Sequence, residues 1–390
     1  MHSQAKRVYC GLQQKVQLKM SMLRLVSLCV FLLAICLLLP AFAGQAFAKA
    51  SDFNSQKVAG CMATAVGTDI AVSWTPLKQA QGYVIYEAAT AQGPFQEVAR
   101  TKVSTKILSA KTRGSSYHYR VQAWRLANGT EEFSKRSVAF GTTVQTGKST
   151  TTLKSFLQTS VAPVGTTMYV WGGGWNIEDE AAGKDAKRIG LSPTWATFAS
   201  KQKADYNYKK HEFKTTKGLD CSGYVGWTVY NVLNTKPNQK GYVTKASKQA
   251  RWLSGQKMGT ITKRKDVKNF RPGDIMSSSC NCCRHVYIVI GQCGDGSVVL
   301  VHASPAGVQI NGTATARGKK ESQAVKLARR YMKKYYPQWH KKYPRCDRPA
   351  VYLKHYEQMR WNIGDNKIMS DPHGYRNKDA AAILKDLYAE

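Results

Sequence analysis

Beyond residue 50 the chain first alternates hydrophobic and polar positions with a period of two. Ile70-Ala-Val-Ser-Trp74, Gly82-Tyr-Val-Ile-Tyr86 and Tyr117-His-Tyr-Arg-Val-Gln-Ala123 follow this pattern, separated by turn-rich stretches such as Ala91-Gln-Gly-Pro94 and Ala127-Asn-Gly129. Alternation puts successive side chains on opposite faces of a strand, and several short strands at this spacing predict a β-sandwich over 58–146. From about Leu153 the period changes. Tyr224, Val225, Trp227, Val229, Tyr230, Val232 and Leu233 form a broad stripe at helical spacing, and the capping residues Asp220 and Ser222 predict that the helix opens at Cys221. Val243–Gln256 and Glu321–Tyr336 are further predicted helices. His285–Gly291 and Ser297–Ala303 are predicted strands joined by a turn around Gly294-Asp295-Gly296, and Ala350–Trp361 is a third. Glu178–His211, rich in Lys, Asp, Ala and Gly, reads as an elaborated loop. A run of strands followed by mixed helices and strands predicts a multidomain chain, all-β first and α+β second.

The polar stretch 147–153, Gly-Lys-Ser-Thr-Thr-Thr-Leu, is the expected linker. Gly141 and Gly147-Lys148-Ser149 superficially suggest a phosphate-binding loop, but five residues separate the glycines where four are required. With 390 residues the chain exceeds what one core usually organises. Its first segment is expected to be a signal peptide, 1–48. Lys15, Lys19 and Arg24 precede the apolar run Leu25–Leu39, and Ala46-Phe47-Ala48 has the small-x-small pattern of a cleavage site, so the mature chain begins at Lys49. The run is shorter than the ~20 residues that span a bilayer, so no stable membrane span is expected after cleavage. The expected location is secreted or in the cell wall. Translation from Met20 or Met22 is an open alternative.

Past residue 48 the cysteines are Cys61, Cys221, Cys280, Cys282, Cys283, Cys293 and Cys346, an odd set that leaves room for one free thiol. Their pairing stays open. A zinc site at Cys280-Asn-Cys-Cys283 with His285 or Cys293 is the metal alternative, but the spacing lacks two separated Cys-x-x-Cys knuckles and no metal is expected. The formal charge of +34 predicts attraction to polyanions. For an exported protein these are anionic wall polymers, anionic lipids and peptidoglycan carboxylates, and no specific nucleic acid is expected. Basic residues are densest over Arg317–Arg348, interleaved with Tyr331, Tyr335, Tyr336, Trp339 and Tyr343. This segment reads either as a surface that stacks sugars or single strands, or as a solvated helix face with core aromatics.

Cys221 at a helix start has a chemical consequence. The partial positive charge of the N-terminus, with an adjacent imidazolium, lowers a thiol pKa from about 8.5 to roughly 3.5–7.5. His285 and His302 are the candidate partners. A two-residue turn at Gly294-Asp295 sets His302 opposite Tyr287, on the face it shares with His285, the two lying diagonally about 7–8 Å apart. A turn at Asp295-Gly296 keeps the face but lengthens the distance, and a bulge upsets both.

Two resemblances follow from these residues. The segment 49–146 resembles a fibronectin type III domain, with Trp74 in the place of the core tryptophan and Tyr117 in that of the tyrosine corner. Tyr169-Val-Trp-Gly-Gly173, Asp220-Cys-Ser-Gly223, Pro272-Gly-Asp274, His285-Val-Tyr-Ile-Val-Ile-Gly291 and Val301-His-Ala-Ser304, in this order, resemble the NlpC-type cell-wall cysteine peptidases, which have a papain-like fold. The resemblance implies a peptidase domain over 154–390 with a basic extension at about 314–349. It also implies Cys221 as nucleophile, His285 as general base and acid, and His302 as the group that orients His285. Tyr169 and Trp171 would line the site, and Asp220 and Ser222 would contact the substrate. The competing readings are that Asp220 and Ser222 only cap the helix and that Trp171, Gly172 and Gly173 form only a packing turn. No cofactor is implied. The chain departs from the pattern at bulky Tyr287, at the crowded Cys280–Cys283 loop and in the 314–349 extension; Trp361–Glu390 carries no chemistry that can be named. The expected activity is hydrolysis of a peptidoglycan stem peptide, at the bond from D-glutamate to the third residue. The alternatives are an inactive wall-binding or adhesion protein and an amidase or acyltransferase on the same scaffold.

Overall fold

The computed structural model describes residues 52–146, 151–178, 180–278 and 284–388. The expected signal peptide, most of the linker, and Cys280, Cys282 and Cys283 lie outside the described residues.

The alternating segments form strands β1 (Met62–Val66), β2 (Asp69–Ser73), β3 (Gly82–Ala88), β4 (Gln96–Thr101), β5 (Thr105–Leu108), β6 (Ser116–Ala127), β7 (Thr130–Phe133) and β8 (Phe140–Thr143). One sheet has the order β1-β2-β5 and the other β4-β3-β6-β7, with β8 beside the first part of β6. This is a fibronectin type III-like sandwich. Ile70, Val72, Trp74, Tyr83, Ile85, Tyr119, Val121 and Ala123 fill the space between the sheets, each two positions from the next on its own strand. Trp74 lies edge-on to Tyr83 with ring centroids 5.1 Å apart. The Tyr117 hydroxyl accepts the Thr112 backbone N–H at 2.8 Å, which is the back-bond of a tyrosine corner.

Alternation breaks down in β1 and β2, where nearly every residue is buried. The cause is a second neighbour: the outer face of this sheet is covered by the following domain, whose core includes Met62. Gly190 sits against Ser73 with φ +75°, and a methyl group there would collide with the serine side chain.

The second domain begins with β9 (Thr151–Thr152) and α1 (Leu153–Val161). Its strands continue with β10 (Met168–Tyr169), the small hairpin β11 (Trp175–Asn176) and β12 (Ala181–Ala182), then β13 (Gly218–Leu219), β14 (Gly259–Thr262), β15 (Ile275–Ser278), β16 (Val286–Gln292), β17 (Val298–Ser304), β18 (Gly307–Thr313), β19 (Asp347–Arg348), β20 (Tyr356–Trp361) and β21 (Met369–Ser370). The main sheet has nine strands in the order β13-β10-β18-β17-β16-β15-β20-β14, with β19 beside β18. Helices α2 (Pro193–Ser200), α3 (Cys221–Leu233), α4 (Gln249–Gly255), α5 (Gln323–Tyr335), α6 (Pro337–Lys342), α7 (Val351–Lys354) and α8 (Ala380–Leu387) complete it. Val286, Ile288, Ile290, Val299 and Val301 share one core with apolar residues of α1, α3, α5 and α8. Tyr287, Val289, Val298 and Leu300 point to a second cluster with Phe270, Leu353 and Tyr356. Burial on both faces explains the unbroken apolar runs of β16 and β17.

Three expectations shift. The helix expected over 243–256 covers only 249–255, because the Gln249 side chain is bonded to Tyr242 O and Thr244 N and holds that stretch outside the helix. The strand expected from Ala350 starts at Tyr356, after the short turn of α7. The loop 178–211 contains α2, opened by Pro193 in its first turn, and Trp195 of α2 lies edge-on to Trp227 of α3.

The β16–β17 hairpin carries two irregularities that cancel. Its turn has three residues, Gly294 to Gly296, closed by Cys293 N–H to Ser297 O at 2.8 Å with Gly296 at φ +78°. A bulge between Val289 and Gly291 then returns the register to Ile288 opposite Val301. Continued toward the histidines, that register sets Tyr287 against His302, the pairing expected from a two-residue turn.

Candidate active site

Asp220 opens α3. Its Oδ1 accepts the Gly223 N–H at 2.7 Å and the Ser222 hydroxyl at 2.9 Å, while Ser222 Oγ accepts the Trp175 indole N–H at 2.9 Å. Gly172 N–H is also bonded to the Asp220 side chain, and Asp220 N–H reaches Gly173 O at 3.0 Å. The helix start is therefore laced to the Tyr169–Gly173 turn. Gly223 is required by this approach, because a methyl group there would collide with the Gly173 carbonyl. Asp220 and Ser222 are buried, and these internal bonds engage their side chains as cap and lock. Burial lifts the Asp220 carboxyl to about 6 against the pull of its hydrogen bonds.

Cys221 is buried at the first position of α3. The backbone N–H of Val286 and those of Cys221 and Ser222 at the helix start lie close enough to its sulfur to favour the thiolate. The Val286 contact brings the thiol to the peptide unit that follows His285. Desolvation raises the thiol pKa above its ordinary value, and the adjacent Asp220 carboxylate adds to this. Tyr169 lies beside the cysteine, edge-on to Tyr208, and burial, then Cys221, push its phenol upward. Trp171 is 46% exposed on the rim, and its carbonyl accepts the N–H of Phe213, itself 53% exposed.

His285 Nε2 and His302 Nδ1 are 2.7 Å apart. The side chains reach toward each other across the diagonal, with ring centroids 4.9 Å apart. His302 Nε2 lies 2.8 Å from Asn311 Oδ1 and receives Arg348 Nε–H at 3.1 Å. Burial, then the Arg348 charge, lowers His285 to about 3, and the same two causes, with His285 third, hold His302 well below the ordinary imidazole range. The arrangement places a thiol at a helix N-terminus, an imidazole on the residue before the adjacent peptide unit, and a second imidazole against the first. Among the described residues no group of three or more His, Cys, Asp or Glu is gathered as a metal site.

Asn311, Arg348, Trp175 and Phe213 escaped sequence reasoning. Asn311 carried a usable signal: Gln309, Asn311 and Thr313 place polar groups at period two in a strand that is buried throughout. In the basic segment, Tyr331, Trp339 and Tyr343 are core residues while Lys326, Arg330, Lys333, Lys341 and Arg345 are exposed. This favours a solvated basic face over an aromatic stacking platform. Cys61, Cys221, Cys293 and Cys346 are free thiols.

No protein-family model matches the sequence, and comparison with curated proteins gives no match. Solved structures similar to parts of the chain include fibronectin type III proteins. An Fn3-like protein from Clostridium thermocellum is 20% identical over 22% of this chain and 90% of that one, with a TM-score of 0.19. The twitchin kinase region of C. elegans is 13% identical over 24% of this chain and 17% of that one, at 0.21. A β-1,2-glucanase from Parabacteroides distasonis is 18% identical over 38% of this chain and 21% of that one, at 0.22. At these TM-scores the likenesses support no conclusion about activity or partners.

Proposed function

We propose that the chain is an exported cysteine endopeptidase of the NlpC type, with a papain-like second domain, that hydrolyses a peptide bond in the peptidoglycan stem. The observation that carries this reading is the meeting of the Cys221 sulfur with the peptide unit after His285, with His302 2.7 Å behind that base. In the reaction the thiol proton passes to the His285 nitrogen not engaged by His302, and the sulfur attacks the scissile carbonyl. The Cys221 backbone N–H stabilises the oxyanion, a contribution of about 3–4 kcal/mol per donor in enzymes of this chemistry. His285 then protonates the leaving amine, and water, deprotonated by His285, releases the acyl group. The exposed rings of Trp171 and Phe213 form an apolar approach to the site, and the basic face of α5 and α6 suits anionic wall polymers.

A second reading, an unreactive wall-binding protein, is favoured by one observation: burial and the Asp220 carboxylate keep the thiol neutral at rest, and burial and Arg348 keep the imidazole neutral. Digestion of purified peptidoglycan separates the two. The proposed enzyme releases new amino termini from stem peptides and Cys221→Ala does not; equal release by both proteins defeats the peptidase reading. The ends of the released products also distinguish a peptidase from an amidase.

A further inference from the structure

The hydrogen bonds around His302 cannot all form with one set of protons. Asn311 has a fixed orientation, because its Nδ2 donates to Arg345 O at 3.1 Å and its Oδ1 receives Gln309 Nε2 at 3.2 Å. Gln309 is fixed in turn by donating to Arg345 O and accepting from the Trp339 indole. Arg348 forks across this pair, Nε–H to His302 Nε2 at 3.1 Å and Nη2–H to Asn311 Oδ1 at 3.3 Å. With the fork closed, His302 Nε2 must be bare, its one ring proton sits on Nδ1 and is donated to His285 Nε2, and the proton of His285 is on Nδ1. That is the nitrogen needed to receive the Cys221 proton. With the fork open, His302 Nε2–H is free to donate to Asn311 at 2.8 Å, His302 Nδ1 accepts from His285 Nε2–H, and His285 Nδ1 is vacant.

We infer that Arg348 is a positioning residue that selects between these two tautomer chains: in the arrangement without substrate it favours the one with His285 Nδ1 protonated, and opening of its fork frees that nitrogen to act as base. The inference rests on Cys221 and His285 being the reacting pair. Arg348 is a buried cation at the end of β19, and both acceptors of its fork are neutral. Its charge is also the second cause, after burial, of the depressed basicity of both histidines. The other groups around the chain are Tyr352, whose ring centroid is 5.7 Å from that of His285 and 6.0 Å from that of His302, Arg345, Cys346 and Asp347 near Arg348, and Asp220 and Tyr169 near Cys221. All of these are retained in an Arg348 variant and drop out of a comparison with the unaltered protein.

The test uses the full chain without substrate. Nitrogen-15 NMR of labelled histidines is expected to find His302 Nε2 unprotonated and Nδ1 protonated, and Arg348→Met to move that proton to Nε2. Loss of the charge lets imidazolium form, so alkylation of Cys221 by iodoacetamide near pH 6 should rise about tenfold and its pH midpoint fall by about one unit in the variant. Arg348→Lys keeps a cationic donor and should retain a profile close to the original. If Arg348→Met fails to fold, the proton positions in the unaltered protein and the Lys variant still decide the matter. A proton on His302 Nε2 in the unaltered protein, or an unmoved pH profile in folded Arg348→Met, overturns the inference. Peptide hydrolysis is not needed for any of these readings, so cleavage with an unmoved profile removes the role of Arg348 alone, and a moved profile without cleavage removes the peptidase reading alone.

Discussion

Replacing Asp220 by Asn removes one buried charge while keeping an oxygen that can cap α3. The carboxyl is raised from 3.8 to about 6, with burial outweighing the Gly223, Ser222 and Gly172 hydrogen bonds. Between these two values the folded protein binds more protons than the unfolded chain. The contribution of Asp220 to stability is therefore fully present below about pH 4 and is lost as pH rises through about 6. A shift of roughly two units corresponds to about 3 kcal/mol, at 1.36 kcal/mol per unit. The Asn side chain does not titrate, so the stability difference, variant minus unaltered protein, should grow by ~3 kcal/mol in favour of the variant from about pH 3 to about pH 8. Any constant loss from a less well satisfied cap cancels in that change, as do the titrations of His285 and His302. Urea unfolding of both proteins at several pH values, followed by tryptophan fluorescence, measures it. A difference that stays flat with pH refutes the claim that Asp220 is buried at a cost to its charge. The same substitution should bring Cys221 alkylation to lower pH, since the carboxylate is the second cause of the raised thiol.

Other substitutions probe how the site is held. Gly223→Ala drives a methyl group into the Gly173 carbonyl, so it should cost about 2 kcal/mol or more and release the Tyr169–Gly173 turn, read as a fall in melting temperature together with lost hydrolysis. Trp227→Ala empties a fully buried site that packs on Trp195 and bonds Gly190 O; chemical denaturation should show a loss of about 3–5 kcal/mol. Tyr117→Phe removes only the back-bond to Thr112 and should cost the sandwich about 1 kcal/mol while leaving hydrolysis unchanged.

What could be read from the chain were the parts decided locally. Asp220 as a cap and the apolar stripe after Cys221 define α3, which spans Cys221–Leu233. Ile70, Val72 and Trp74 define one inward face of the sandwich. The facing of His285 and His302 was legible for a less direct reason. The three-residue turn and the bulge each shift the register, in opposite senses, so the parity of a simpler hairpin survived both. The remainder depends on contacts distant in sequence. Arg348 reaches His302 across 46 residues because β19 pairs with β18, and in the sequence it was one cation among many in a basic run. Trp175 locks Ser222 from 47 residues away. The outer face of β1 and β2 reads as an amphipathic edge gone wrong until the second domain is placed against it.

Intact-mass spectrometry of the protein mixed with a defined stem peptide and quenched in acid addresses the proposed chemistry most directly. A cysteine peptidase centred on Cys221 gains the mass of the acyl fragment, mapped to the peptide that carries Cys221, while the amine fragment is released in equal amount; Cys221→Ala gains and releases nothing. Release of the same fragments by Cys221→Ala, or cleavage with an acyl adduct mapped to another residue, would contradict it.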